Sequence, residues 1–225
     1  MQADFNRPVL AVDTGTSYLS LALRADGETR LFHQEVGSRQ SELILPEIRT
    51  LFRDAGITAA DLGAIVYAKG PGAFTGLRIG IGVAQGLATP FDTPLIGIPT
   101  LDAAASLPPP QSCILAAADA RMGEVFYAWF DTLNCRRLSG YQVGKAADIA
   151  LLEGHVFSDG IGSAFALENC PPFAGKPDMP TAADFLNLAA EGGFPAVTAA
   201  HAELLYVRNK IALTAKEQAE RKART

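Results

Sequence analysis

Pro8-Val-Leu-Ala-Val-Asp13-Thr14-Gly15-Thr16-Ser17-Tyr-Leu-Ser-Leu-Ala-Leu-Arg24 is the stretch that decides the architecture. A short apolar run ends in an acid, a hydroxyl–glycine–hydroxyl turn follows, and a second run alternates with period two. An uninterrupted apolar run suits a strand covered on both faces, and alternation suits one covered on a single face. The turn Ala25-Asp26-Gly27 then leads into Glu28–Glu35. The pattern predicts two successive antiparallel hairpins at the head of the chain.

Working outward, a helix is predicted over Ser41–Ala55, with Ile44, Ile48, Leu51, Phe52 and Ala55 on one face and Gly56 as its stop. Pro46 either marks its true first turn or kinks it. Ala64–Ala68 reads as a buried strand, followed by a glycine-rich loop, a helix over Leu77–Thr89 and a strand over Pro94–Ile98. Pro108-Pro109-Pro110 stops any regular element and is the best linker in the chain. Beyond it the pattern restarts. Strands are predicted at Ser112–Ala118, Glu124–Phe130, Arg136–Val143 and Val156–Asp159, with helices at Ala146–Leu152 and Thr181–Ala190. The expected division is therefore 1–107, 108–213 and a charged, frayed tail at 214–225.

Composition narrows the chemistry. Of 225 residues 48% are apolar, and 24 acids against 19 bases give a net charge of −5, so no bulk basic field is available to hold nucleic acid. No stretch approaches the roughly 18 uncharged apolar residues of a membrane span. The polar start, Met1–Arg7, does not read as a leader. Three scattered cysteines form no disulfide framework, and three histidines never approach metal-ligand spacing. The profile is that of a cytoplasmic chain with no metal site of its own.

Four places remain where chemistry would sit. The Asp13-Thr14-Gly15-Thr16 turn has three readings: a phosphate-wrapping turn of the sugar-kinase/actin type, one half of an aspartic-protease pair, or a plain hairpin turn closed by an Asx hydrogen bond. The protease reading needs a second copy of the turn, in this chain or in a symmetric partner; the turn occurs once in this sequence, which demotes that reading. Lys69-Gly-Pro-Gly-Ala-Phe-Thr-Gly-Leu-Arg78 is a glycine-rich loop in which Thr75 is placed to cap the next helix, but it lacks the Gly-Lys-Ser/Thr ending of a P-loop. In that helix Gly76, Gly80, Ala84 and Ala88 form one smooth ridge, and Gly82 and Gly86 form another. Each interior glycine costs about 0.5–1 kcal/mol relative to alanine, so close approach is the expected return, one ridge inside the fold and one on a docking surface. Finally, Asp119-Ala-Arg121-Met-Gly-Glu124 mirrors the first turn, although Arg121 and Met122 fill the place where a phosphate loop needs glycine.

Together these strings, with Ile98-Pro-Thr-Leu101 and His201-Ala-Glu-Leu-Leu-Tyr-Val-Arg-Asn209, resemble the TsaB (YeaZ) family. That family comprises the small bacterial partners of the tRNA threonylcarbamoyladenosine transferase TsaD. Leu204 stands where the family's tail motif carries proline.

The resemblance implies an α/β fold of two actin-like, sugar-kinase-like (ribonuclease H-like) subdomains, each a mixed sheet with flanking helices, the second degenerate. It implies no catalytic residues, no metal and no cofactor of its own, with ATP or ADP confined to the interface with the partner complex. TsaD is the implied heterodimer partner and TsaE joins the assembly. tRNA is met only through the complex, self-association is implied for the isolated chain, and no membrane is involved.

The implied docking residues are Glu42, Ile44, Ile48, Gly76, Arg78, Gly82, Gln85 and Gly86. Asp13, Thr14, Gly15, Thr16, Asp119 and Arg121 remain as a vestigial phosphate loop. A stand-alone sugar-kinase-type phosphotransferase using Asp13, Thr14, Thr16 and Asp119, and a peptidase, stay as alternatives.

Overall fold

A computed structural model describes residues 1–208; the tail expected to fray, 214–225, lies outside the described residues. The opening prediction holds. β1 (Val9–Asp13), β2 (Tyr18–Ala25) and β3 (Glu28–Glu35) form an antiparallel meander, Val12 opposite Leu21 and Leu21 opposite Phe32. β4 (Ala64–Gly70) and β5 (Leu95–Pro99) add in parallel beside β1, giving the central order β5-β4-β1-β2-β3.

β1 is buried on both faces because each face carries helices. Leu10, Val12, Leu19, Leu21 and Leu23 meet Ile44, Ile48, Leu51 and Phe52 of α1 (Gln40–Ala55) and Ile81 and Ala84 of α2 (Phe74–Ala88). Gly56 ends α1 at φ +67, its N–H and that of Ile57 closing on the carbonyls of Arg53 and Phe52. Pro46 sits inside α1 in its second turn and does not mark the helix start.

The second sheet repeats the first in smaller form. β6 (Ile114–Arg121) and β7 (Glu124–Asp131) are antiparallel, and β10 (Asp159–Ile161) runs parallel beside β6 as β4 does beside β1. The strand predicted over Arg136–Val143 breaks into β8 (Arg136–Arg137) and β9 (Gln142–Gly144), both on β7. At the break, Trp129 donates its N–H to the Ser139 hydroxyl, so a side chain replaces a ladder bond.

Two further predictions are corrected, and one element was not predicted. The helix at Ala146–Leu152 is a single 3₁₀ turn over Ala146–Asp148, with Ala146 and Ile149 anchored in the second core. One turn so anchored leaves too few residues to propagate. The strand at Val156–Asp159 lies three residues later, and Val156 is 82% exposed. The short helix α3 (Thr100–Ala105) has no counterpart in the sequence reading, being too short and too uniformly apolar to show a period.

The chain also returns. α4 (Ala182–Glu191) covers the other face of the first sheet, where Ala182, Phe185, Leu186 and Ala189 pack on Val9, Ala11, Ala22 and Ala64, and Ala182 donates its N–H to buried Ser20 Oγ at 2.8 Å. β11 (Ala196–Val197) then pairs with β5 at the sheet edge. The residues after the proline linker are therefore not all in the second lobe.

A strap over residues 202–208 runs back between the two sheets. Leu205 N–H donates to the Lys69 carbonyl, and Tyr67 and Glu203 exchange hydrogen bonds. Arg208 reaches the Ala120 carbonyl and the Glu124 carboxylate on the second sheet. The strap thus ties the lobes together along one side of the space between them.

Candidate functional site

That space is an open cleft of about 860 Å³, lined from the first lobe by the turn after β1 and the glycine loop, and from the second by the β6–β7 turn and Ser163. The first turn is closed on itself. Asp13, 5% exposed, lies behind the lining with Oδ1 accepting the Gly15 N–H at 2.8 Å, and its burial raises the carboxyl pKa to about 6 against that bond's lowering pull. Thr14 donates its hydroxyl to the Gly76 carbonyl at 2.7 Å. Thr16 Oγ1 accepts from the Tyr18 N–H, and Ala73 N–H occupies the Gly15 carbonyl.

The glycine loop is pressed against this turn rather than held away from it. A Cβ on Gly72 would come within 2.6 Å of Gly15 O, and one on Gly76 within 1.9 Å of Thr14 O. Thr75 does not cap α2: Ala73 holds that position, and no side chain caps it. The hydroxyl that a phosphate-binding reading assigns to Thr14 is spent on α2.

The β6–β7 turn is self-contained as well. Asp119 accepts the Arg121 N–H at 2.7 Å and pairs with its guanidinium at 3.5 Å, while the Asp119 N–H donates to Ser163 Oγ. Arg121 and Met122 adopt φ of +64 and +58, a left-handed backbone that non-glycine residues adopt only at a cost of about 1–2 kcal/mol. Thr100, at the start of α3 on the cleft wall, is 1% exposed, and its hydroxyl has no hydrogen-bond partner among the described residues.

A second surface lies on the far side of the first sheet, where α1 and α2 sit side by side. The predicted division of α2 into two ridges is visible here. Gly76, Gly80, Ala84 and Ala88 face inward, and a Cβ on Gly80 would lie 2.5 Å from Thr14 Oγ1. Gly82 and Gly86 face outward, with nothing among the described residues within 4 Å of an added Cβ.

Of the residues assigned to docking, Glu42, Arg78, Gly82 and Gly86 are exposed. Three assignments are corrected. Ile44 and Ile48, at 1% and 2% exposure, are core side chains beneath the sheet-facing side of α1, and Gly76 is packed on Thr14. Gln85 is half-buried, its Nε2 donating to the Ala199 carbonyl at 2.8 Å, so it holds the C-terminal segment against α2.

Leu45 was missed. It is 50% exposed and stands beside exposed Pro46 and Arg49 on the outward side of α1. The signal was present in the sequence: the 44/48/51/52 stripe already fills the core face, so a further leucine beside it has no place inside. Arg78 stacks over the Phe74 ring at 3.6 Å, fixing the polar end of the same surface.

Along 91% of its length the chain is 34% identical to the Escherichia coli protein named tRNA threonylcarbamoyladenosine biosynthesis protein TsaB, covering 96% of that protein. This chain belongs to the TsaB family. A Bacillus subtilis protein of the same name is 33% identical over 56% of each chain. The solved structure titled YeaZ from Pseudomonas aeruginosa superposes with a TM-score of 0.77 at 29% identity, over 88% of this chain and 99% of that one. Residues 33–175 match the family model described as TsaD: tRNA N6-adenosine threonylcarbamoyltransferase. The function carried by the family is biosynthesis of threonylcarbamoyladenosine in tRNA, and the two-lobed α/β fold is the one the resemblance implied.

Proposed function

We propose that this chain is a non-catalytic subunit that docks on and activates a TsaD-type transferase, which adds threonylcarbamoyl to N6 of the adenosine 3′ of the anticodon. The observation that carries the reading is the outward pair Gly82 and Gly86. Each sits inside a helix at a cost of about 0.5–1 kcal/mol, and among the described residues nothing lies within 4 Å of where its Cβ would be to justify it. Bare backbone on an exposed helix lets another helix approach closely, and Leu45, Pro46 and the half-buried Ile79 and Val83 supply apolar area around it.

The lack of catalysis is supported by the closed first turn, with Thr14 hydroxyl and Gly15 carbonyl both engaged, and by the bulk of Arg121 and Met122 in the second. Metal and acyl-transfer chemistry then belong to TsaD. TsaE joins the assembly, ATP or ADP binds at the interface with the partner complex, and tRNA is met only within it. The assembly works in the cytoplasm, and in the absence of TsaD the same face of the isolated chain self-associates into a homodimer. Co-purification with TsaD and TsaE, followed by a tRNA modification assay with and without this chain, tests the reading: modification requires the chain, and the chain alone produces none.

A further inference from the structure

The turn after β1 touches both helices of the outward face through two buried side chains. Gln40, the first residue of α1 and 5% exposed, directs Nε2 at three main-chain carbonyls: Thr16 at 2.7 Å, Tyr18 at 2.9 Å and Thr14 at 3.4 Å. Thr14, 1% exposed, donates its hydroxyl to the Gly76 carbonyl in the first turn of α2 at 2.7 Å. Gly76 and Gly80, successive turns of α2, both rest on Thr14, and Gln40 Oε1 lies 3.1 Å from the point where a Gly76 Cβ would sit. Two helices that form one exposed surface are thereby referenced to a single turn.

We propose that Thr14 and Gln40 are positioning residues for partner docking: they set the offset of α1 against α2, and so the shape of the outward face, without reaching that face. The inference rests on the docking reading above. Its physics is steric as well as polar. Thr14→Val replaces a hydroxyl at 2.7 Å from the Gly76 carbonyl with a methyl. A carbon needs about 3.3 Å or more from a carbonyl oxygen. The first turn of α2 is pushed outward by roughly half an ångström, while α1 stays on the turn through Gln40. Close-packed interiors transmit such a displacement instead of absorbing it. Gln40→Met acts from the other side: it keeps the length of the side chain but leaves buried carbonyls without that donor, so the turn shifts under both helices.

The test is titration of TsaD into wild type, Thr14→Val, Thr14→Ser, Gln40→Met and Gly82→Leu, each first checked for a folded state by its far-UV spectrum and melting temperature. Thr14→Val and Gln40→Met are expected to weaken Kd at least tenfold. Thr14→Ser keeps the hydroxyl and loses a buried methyl, so its melting temperature falls while Kd stays within threefold of wild type. That rescue separates positioning from stability. Equal weakening by serine and valine overturns the assignment of Thr14. Near-normal binding by both Thr14→Val and Gln40→Met, alongside loss in Gly82→Leu, overturns the proposal and leaves the docking reading intact. Normal binding by Gly82→Leu overturns the docking reading itself. If Thr14→Val does not fold, Gln40→Met decides alone.

Discussion

Arg208 and Glu124 form an ion pair that closes the strap across the two lobes, with the Arg208 guanidinium also donating to the Ala120 carbonyl. The side chains are 24% and 40% exposed, so solvent screening reduces what the pair contributes. Arg208→Ala is expected to lower global stability by about 1–2 kcal/mol, chiefly through the lost carbonyl bond and stem packing. A double-mutant cycle with Glu124→Ala, measured by denaturant unfolding, is expected to give a coupling of about 1 kcal/mol or less.

The two ridges of α2 predict opposite responses to the same chemical change. Gly76→Ala forces a Cβ to within 1.9 Å of a main-chain oxygen and is expected to cost several kcal/mol, at least about 3, because the neighbour is backbone and cannot yield cheaply. Gly82→Ala and Gly86→Ala meet open space and are expected to raise stability by about 0.5–1 kcal/mol through helix propensity alone. Thermal melts of the three variants check this.

Asp13 predicts a pH dependence of unusual sign. Its pKa is raised by burial from 3.8 to about 6, so between those values the folded state holds more protons than the unfolded one. Stability from this group is complete below about pH 3.8 and falls as pH rises through 6. The loss amounts to roughly 3 kcal/mol above that window. Asp13→Asn keeps an oxygen for the Gly15 N–H and removes the titration. Its stability relative to wild type is expected to climb between pH 4 and about 7 and then level, as read by urea unfolding at stepped pH. A difference that stays flat across that range contradicts the buried-carboxyl account.

Thr100→Val replaces a buried hydroxyl that lacks a partner among the described residues with an isosteric methyl. An unsatisfied buried donor costs about 1–3 kcal/mol, so the variant is expected to be more stable by about 1 kcal/mol. Calorimetry that shows destabilisation instead means the hydroxyl is satisfied from the cleft.

The first lobe was legible because its signals are long. Four consecutive apolar residues in β1, alternation through β2 and the Ile44-to-Phe52 stripe each span enough chain to fix their own period. The second lobe was not, because β8, β9 and β10 have three residues or fewer and take their places from β7 and β6, not from local pattern. The helix at Thr181–Ala190 was predicted, but nothing local tells Phe185 and Leu186 which sheet they cover. At the surface the error was one of facing. Ile44 and Ile48 look adhesive in sequence and are core, whereas Leu45, one residue away, is the apolar group left outside. The two glycine ridges were separable because a spacing of four keeps each on its own face.

The central claim rests on the outward glycines, and Gly86→Leu addresses it most directly. Its Cβ meets nothing within 4 Å among the described residues, so the variant is expected to melt within a few degrees of wild type. Purified TsaD titrated with this variant is expected to bind at least a hundredfold more weakly than with wild type, and tRNA modification by the reconstituted set falls with it. Binding within twofold of wild type, by a variant shown to be folded, contradicts the account.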